Sequence, residues 1–201
     1  MTNNQLRETL ELIKKALVKV GTELSKRGID FMLIGSAVLP PLLYGVNWNV
    51  HDIDIFIINK STVTEPELFE EIAKDNDWDV GMDMNGMMYY EVLVDAQVVR
   101  VDLMENLLDI YIPEAMISKS LRIKVNGLEI RSIRLEDLLV LKAREASEEG
   151  DEFLSRIAEM LADPESKLNI DRKYLREAIN YYPDDKDAIE RRLEKSGIYL
   201  E

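Results

Sequence analysis

The chain has 201 residues, and its 39 aspartates and glutamates against 25 lysines and arginines give a formal net charge of −14. It contains no cysteine and one histidine, which excludes disulfides, thiolate catalysis and multi-histidine metal sites. Any metal would therefore be a hard cation held by oxygen ligands, and the acidic balance makes duplex DNA an unlikely partner.

Composition also bounds the size and setting of the protein. The length suits one domain, or one domain with a substantial appendage, and 46% hydrophobic residues are enough for a core. No apolar run is long enough to predict a membrane span, and the first residues lack a signal-peptide layout. The sequence therefore predicts a cytoplasmic protein.

The chain up to residue 134 alternates helical and strand patterns. Apolar residues recur at three- and four-residue steps from Leu6 to Leu24, as in an amphipathic helix, and short apolar runs between turn residues indicate strands. Thr64 with Glu67 fits a capping box, and Asn126-Gly127 is the strongest hairpin signal. The predicted elements, in chain order, are a helix ending near Gly28, a strand over 30–34, a loop over 35–38 before a helix starting at Pro40, a strand over 53–58, a helix over 64–74, a Gly- and Met-rich region over 79–88, and strands over 89–94, 98–104, 121–125 and 128–133.

From Leu135 to the end the pattern is helical. Gly150, Pro164 and Pro183 punctuate it, which predicts separate helices over about 135–146, 151–161, 172–180 and 184–195. The chain therefore divides into an α/β domain over 1–134 and a helical C-terminal segment over 135–201.

Two acids open the second strand. Side chains alternate faces along a strand, so Asp52 and Asp54 point the same way while the isoleucines between them point the other way. Neighbouring carboxylates repel each other, and a divalent cation removes that cost. Gly35-Ser36 ends the first strand, where free backbone N–H groups could hold phosphate oxygens. Two alternatives stay open. An Asp-x-Asp can also be a solvated strand end, and Gly35 can be present simply because the chain needs a positive φ angle there.

A third acid, Asp102, lies on a later strand with a similar apolar setting. Phosphoryl-transfer sites use such acids to hold two divalent ions about 4 Å apart, so that the attacking and leaving oxygens are clamped. Arg100 shares a face with Asp102 and could instead pair with it, so both interpretations of Asp102 stay open.

With these residues the chain resembles the nucleotidyltransferase superfamily, with its polymerase-beta-like fold. The resemblance rests on Gly35-Ser36 after the first strand, Asp52-Ile53-Asp54-Ile55 opening the second, and Asp102 on a later one. Residues 135–144 are similar to a later motif of AbiE-type and related stand-alone nucleotidyltransferases, in which a lysine lies near the nucleotide phosphates. The resemblance implies an α/β (α+β) fold with a mixed sheet and a C-terminal helical segment, and it assigns Lys142 to phosphate binding, against the alternative of a helix-surface lysine.

The implied activity is transfer of a nucleoside monophosphate from an NTP to a hydroxyl group. Asp52, Asp54 and Asp102 would be the catalytic residues and the ligands of Mg²⁺, with two ions expected and Mn²⁺ as a substitute, and Gly35, Ser36 and Lys142 would bind the phosphates. The acceptor would be a small molecule, a protein or an RNA end, and a homodimer or an antitoxin-like protein partner is compatible with the resemblance. A catalytically inactive binding module of the same fold and a phosphodiester hydrolase are the open alternatives.

Overall fold

The computed structural model describes residues 3–35, 44–45, 52–107 and 110–201. The predicted loop over 36–38, the predicted helix start at Pro40 and the candidate phosphate ligand Ser36 lie outside these residues. Within the described part, none of the helices is both long and apolar enough to cross a membrane.

Within the described residues seven strands form one mixed sheet, and a mixed sheet is what the family resemblance implies. Its strand order is β3-β4-β5-β2-β1-β7-β6. The pairs β2 with β5 and β1 with β7 are parallel, and the other neighbours are antiparallel. The strands are β1 (Phe31–Leu33), β2 (Asp52–Ile57), β3 (Asp79–Met82), β4 (Met88–Val94), β5 (Gln97–Met104), β6 (Leu121–Val125) and β7 (Leu128–Ser132).

Two tight turns build the predicted hairpins. Asp95 and Ala96 both have positive φ angles between β4 and β5, and Asn126 and Gly127 do so between β6 and β7. Two consecutive residues with positive φ give a type I′ turn, whose twist matches that of the flanking strands. The prediction from Asn126-Gly127 is therefore confirmed, and Ala96 adopts the same conformation without being a glycine.

One face of the sheet is covered by two helices, α1 (Asn3–Lys26) and α2 (Pro66–Asp75). Their apolar sides share a core cluster with the inward side chains of the strands. Along α1 the fully buried residues follow the predicted three- and four-residue spacing, and the helix ends where Ile29 N–H bonds to the Leu24 carbonyl oxygen beside Gly28 at φ 69°. Burying one such aliphatic side chain contributes about 1.5–3 kcal/mol. The apolar side of each strand therefore faces these helices, and its polar side chains lie on the other face of the sheet.

The predicted capping box at Thr64 is wrong. The helix α2 begins at Pro66, its N-cap is Glu65, and no side chain caps it. Proline suits the first helical position because its φ angle is already helical, and because an N–H at this position would have no partner within the helix. The helix therefore starts at Pro66 instead of at Thr64.

The remaining helices form a second compact unit. Its described residues are 44–45, 112–120 and 133–201, whereas those of the unit that holds the sheet are 3–35, 52–107, 110–111 and 121–132. Within the second unit α4 contacts α5, α6 and α7. The domain boundary at residue 134 stays a prediction. The helices of this unit are α3 (Glu114–Ser118), α4 (Leu135–Glu145), α5 (Glu148–Ala162), α6 (Arg172–Ile179) and α7 (Lys186–Lys195).

Candidate active site

The three predicted acids lie on one face of two neighbouring strands. Strands β2 and β5 run parallel, with Asp54 directly beside Asp102 in the register. Neighbouring strands are about 4.8 Å apart, and registered residues of a parallel pair point to the same face. Asp52 shares this face because it is two residues from Asp54. The two strands therefore bring together the acids that the sequence placed on separate strands.

The opposite face explains why the acids point this way. Ile53 and Ile55 in β2, and Val101 and Leu103 in β5, are at most 1% exposed in the core under the helices. Turning either strand over would bury its acids in this core and expose two aliphatic side chains, at a cost of several kcal/mol. The alternating pattern therefore fixes the acids on the face of the sheet opposite these helices. Asp52 and Asp54 are half-buried there, and Asp102 is 8% exposed.

Gly35 lies against the second acid. A β-carbon at this position would be 3.1 Å from Asp54 Oδ2 and 3.2 Å from Asp54 N. The preceding residue, Ile34, donates its N–H to the Asp54 carbonyl oxygen at 3.0 Å, so the end of β1 is tied to Asp54. Gly35 does not have a positive φ angle, which rules out the conformational alternative. The glycine instead leaves space beside the Asp54 carboxylate.

Arg100 pairs with Asp102 on the same face. Its Nε donates to both carboxylate oxygens, at 2.9 and 3.1 Å, and its Nη2 donates to Oδ1 at 2.6 Å. The hydrogen bonds to Asp102 are the main cause that raises the pKa of Arg100 above its usual value. The guanidinium carbon also lies 4.0 Å from the centre of the Tyr89 ring, a cation–π contact. The ion pair that the sequence left as an alternative is therefore present.

The donor set suits a hard cation, although the group is not assembled around one. Three carboxylates on one face offer the oxygen ligands that Mg²⁺ prefers. Yet no three histidine, aspartate or glutamate side chains of the described ranges, 3–35, 44–45, 52–107 and 110–201, are arranged to hold a metal ion. Both oxygens of Asp102 accept hydrogen bonds from Arg100. With hydrogen bonds at three of the about four lone-pair sites of this carboxylate, Arg100 would compete with a metal ion for Asp102.

Comparison with known families identifies the family of the chain. The family model described as "Nucleotidyl transferase of unknown function (DUF2204)" matches residues 13–195, which is most of the chain. The chain belongs to this nucleotidyl transferase family. The predicted superfamily is thereby confirmed, whereas the AbiE-type subgroup stays a prediction. A search of curated proteins finds no significant match.

Two solved structures are similar to this member of the nucleotidyl transferase family. An antigenic nucleotidyltransferase-like protein from Paracoccidioides brasiliensis is 16% identical with a TM-score of 0.55, and the alignment covers 94% of each chain. The antibiotic-resistance factor ANT(2'')-Ia is 14% identical with a TM-score of 0.45, and the alignment covers 94% of this chain and 91% of that one. At such identity the first similarity establishes the fold, and the predicted fold class is confirmed.

The predicted phosphate ligand Lys142 lies in the helical unit. It belongs to α4, and its Nζ is 2.8 Å from Glu145 Oε2. Its side chain is 17% exposed, less than is usual for a lysine on a helix surface. The role in phosphate binding stays a prediction for Lys142, as it does for Ser36 and for the backbone at Gly35.

Tyr89 is a residue of this face that was not among the candidates from the sequence. The register of the β4–β5 hairpin places Tyr89 opposite Asp102 and Glu91 opposite Arg100, all on the face that carries the acids. The signal was available in the sequence, because a two-residue turn at Asp95-Ala96 fixes every pair of the hairpin. Tyr89 is thereby the aromatic ring on which Arg100 rests.

Proposed function

We propose that the protein is a Mg²⁺-dependent nucleotidyltransferase that transfers a nucleoside monophosphate from an NTP to a hydroxyl group. The observation that carries this proposal is the position of Asp52, Asp54 and Asp102 on one face of β2 and β5. Family membership supports the general class of transfer. The metal, the acceptor and the roles of individual residues belong to the proposal.

In the proposed reaction an acceptor oxygen attacks the α-phosphorus. A new bond forms between phosphorus and the acceptor oxygen, the bond to the bridging oxygen breaks, and pyrophosphate leaves with that electron pair. Asp52 and Asp54 would hold Mg²⁺, which when bound neutralises charge on the phosphates. Asp102 would complete the ligand set and help to remove the proton of the acceptor hydroxyl. The backbone at Gly35 with Ser36, and Lys142, would hold the distal phosphates.

The acceptor is constrained by charge. A net charge of −14 opposes a long polyanion such as duplex DNA, whereas a nucleotide brings its own counter-ions. A small molecule, a protein or an RNA end suits the protein better. An antitoxin-like protein partner or a homodimer, in a cytoplasmic setting, belongs to the same proposal through the AbiE-type resemblance.

The test is label transfer. The purified protein is incubated with Mg²⁺, each of four labelled NTPs and a cell extract, and the molecule that acquires label is identified. Asp54→Asn should abolish transfer. Asp77→Asn is the matched control, because Asp77 is an exposed aspartate at φ 54°, a conformation that asparagine adopts readily. Absence of transfer with every NTP, or equal transfer by Asp54→Asn, would refute the proposal.

A non-catalytic binding module is the second candidate, and the ion pair between Arg100 and Asp102 favours it. A module of this kind would bind nucleotide without releasing pyrophosphate. Thermal shifts with ATP, GTP, CTP and UTP separate the two. A Mg²⁺-dependent shift without pyrophosphate release indicates the module, and a shift accompanied by label transfer indicates the enzyme. Hydrolysis of a phosphodiester would be recognised from the products of the same incubations.

A further inference from the structure

The third carboxylate of the proposed site is held by an arginine of its own strand. Arg100 contacts both oxygens of Asp102 through three hydrogen bonds of 2.6 to 3.1 Å. The Asp102 side chain is 12% exposed, whereas the Arg100 side chain is 42% exposed. A cation therefore already lies at the two oxygens that metal coordination would use.

The surroundings of Arg100 explain why a cation is held there. The strand register puts Asp52 beside it on β2 and Glu91 opposite it on β4. Carboxylates this close repel one another unless a positive charge lies among them. The guanidinium supplies that charge among these acids from within the chain.

The Arg100 side chain is exposed enough to move away from Asp102. Its guanidinium lies over the Tyr89 ring, and the exposed Glu91 is its cross-strand neighbour. A guanidinium that left Asp102 would keep the ring beneath it and have a carboxylate opposite it. Release from Asp102 therefore needs a side-chain movement and no change in the sheet.

We propose that Arg100 is a positioning residue that holds Asp102 in the metal-free protein and exchanges places with the divalent cation when the site binds one. This inference rests on the proposed function, since it takes Asp102 as a metal ligand. Its consequence is that Arg100 lowers the affinity of the site for the free metal ion, because the ion must first displace three hydrogen bonds.

The experiment measures Mn²⁺ binding without nucleotide, by calorimetry and by the electron paramagnetic resonance signal of the bound ion. Arg100→Gln should bind Mn²⁺ about tenfold more tightly than the wild type, the effect of losing charge-assisted hydrogen bonds. Arg122→Gln is the matched control, an exposed arginine on β6 paired with Glu129, and its affinity should change less than about twofold. Arg100→Lys should lie between wild type and Arg100→Gln, since lysine keeps the charge but not the forked contact.

A second substitution shows whether the gain acts through Asp102. In an Asp102→Asn background the Arg100→Gln gain should disappear, as a double-mutant cycle requires for residues that act on one another. A folded Arg100→Gln variant that binds Mn²⁺ no more tightly than Arg122→Gln overturns the inference. So does a gain that survives Asp102→Asn, and so does a lack of Mn²⁺ binding by every variant. If Arg100→Gln does not fold, Arg100→Lys decides in the same way.

The label-transfer assay keeps the two proposals apart. Transfer by the wild type together with an unchanged Mn²⁺ affinity in Arg100→Gln overturns the role of Arg100 and leaves the transferase. Tighter Mn²⁺ binding by Arg100→Gln with no transfer from any NTP supports the exchange and overturns the transferase.

Discussion

A buried carboxylate in the helical unit predicts how stability depends on pH. Asp137 lies in the first turn of α4 and is fully buried, and the Tyr174 hydroxyl contacts its two oxygens at 3.0 Å each. Burial is the main cause that raises the pKa of Asp137 from 3.8 to about 7, and the charge of Glu136 raises it further. The hydrogen bond from Tyr174 and the charge of Arg134 lower this pKa without offsetting the burial.

The sign follows from where the proton is held. Between about pH 4 and pH 7 the folded protein keeps a proton on Asp137 that the unfolded chain has released, so the free energy of unfolding falls as the pH rises through this window. A pKa raised from 3.8 to about 7 corresponds to about 4 kcal/mol over the whole window. The contribution of Asp137 to the free energy of unfolding is therefore about 3 kcal/mol larger at pH 5 than at pH 8.

Asp137→Asn removes the titration while keeping the size of the side chain and an oxygen that accepts from Tyr174. Unfolding in urea is followed by far-ultraviolet circular dichroism, which reports the helices. Relative to wild type, the variant should gain about 3 kcal/mol between pH 5 and pH 8. Asp187→Asn, at an exposed first-turn aspartate of α7, should show no such gain. A difference between wild type and Asp137→Asn that is equal at the two pH values would refute the reasoning.

Three further substitutions test the sheet and the site. Gly35→Ala places a methyl group 3.1 Å from Asp54 Oδ2, and kcat/KM for NMP transfer should fall by about tenfold or more; unchanged kinetics would show that the space beside Asp54 is not needed. Tyr90→Phe removes a buried hydrogen bond to the Phe69 carbonyl oxygen at 2.9 Å, and the free energy of unfolding in urea should fall by about 1–2 kcal/mol. Lys142→Gln should raise the KM for NTP about tenfold if the lysine binds phosphate, and an unchanged KM would exclude that role.

The local part of the fold could be predicted because its causes are local. A two-residue turn fixes a hairpin, so Asp95-Ala96 places Val94 opposite Gln97 in the first pair and Tyr89 opposite Asp102 in the sixth. The amphipathic spacing of α1 is equally local. The start of α2 was mispredicted for a local reason too, since two start signals, Thr64 and Pro66, lie two residues apart and only one can begin the helix.

The meeting of the acids could be predicted only in part. Period-two alternation puts Asp52 and Asp54 on one face of β2, and Arg100 and Asp102 on one face of β5. It does not show that these are the same face of the sheet. That depends on the parallel pairing of β2 with β5, two strands separated in the chain by α2, β3 and β4. Such pairing is decided by how whole strands bury their apolar sides, and no short stretch of sequence encodes it.

The same alternation makes Arg100 a consequence of the strand that carries Asp102. Val99, Val101 and Leu103 are buried in the core, so only the positions between them can face the acids. These positions are Arg100 and Asp102. A cation at the Arg100 position can compensate the carboxylates whenever no metal does so. The pairing with Arg100 is therefore compatible with the proposed role of Asp102 as a metal ligand. The ratio of the Mn²⁺ affinities of Arg100→Gln and wild type measures how strongly the pairing opposes metal binding.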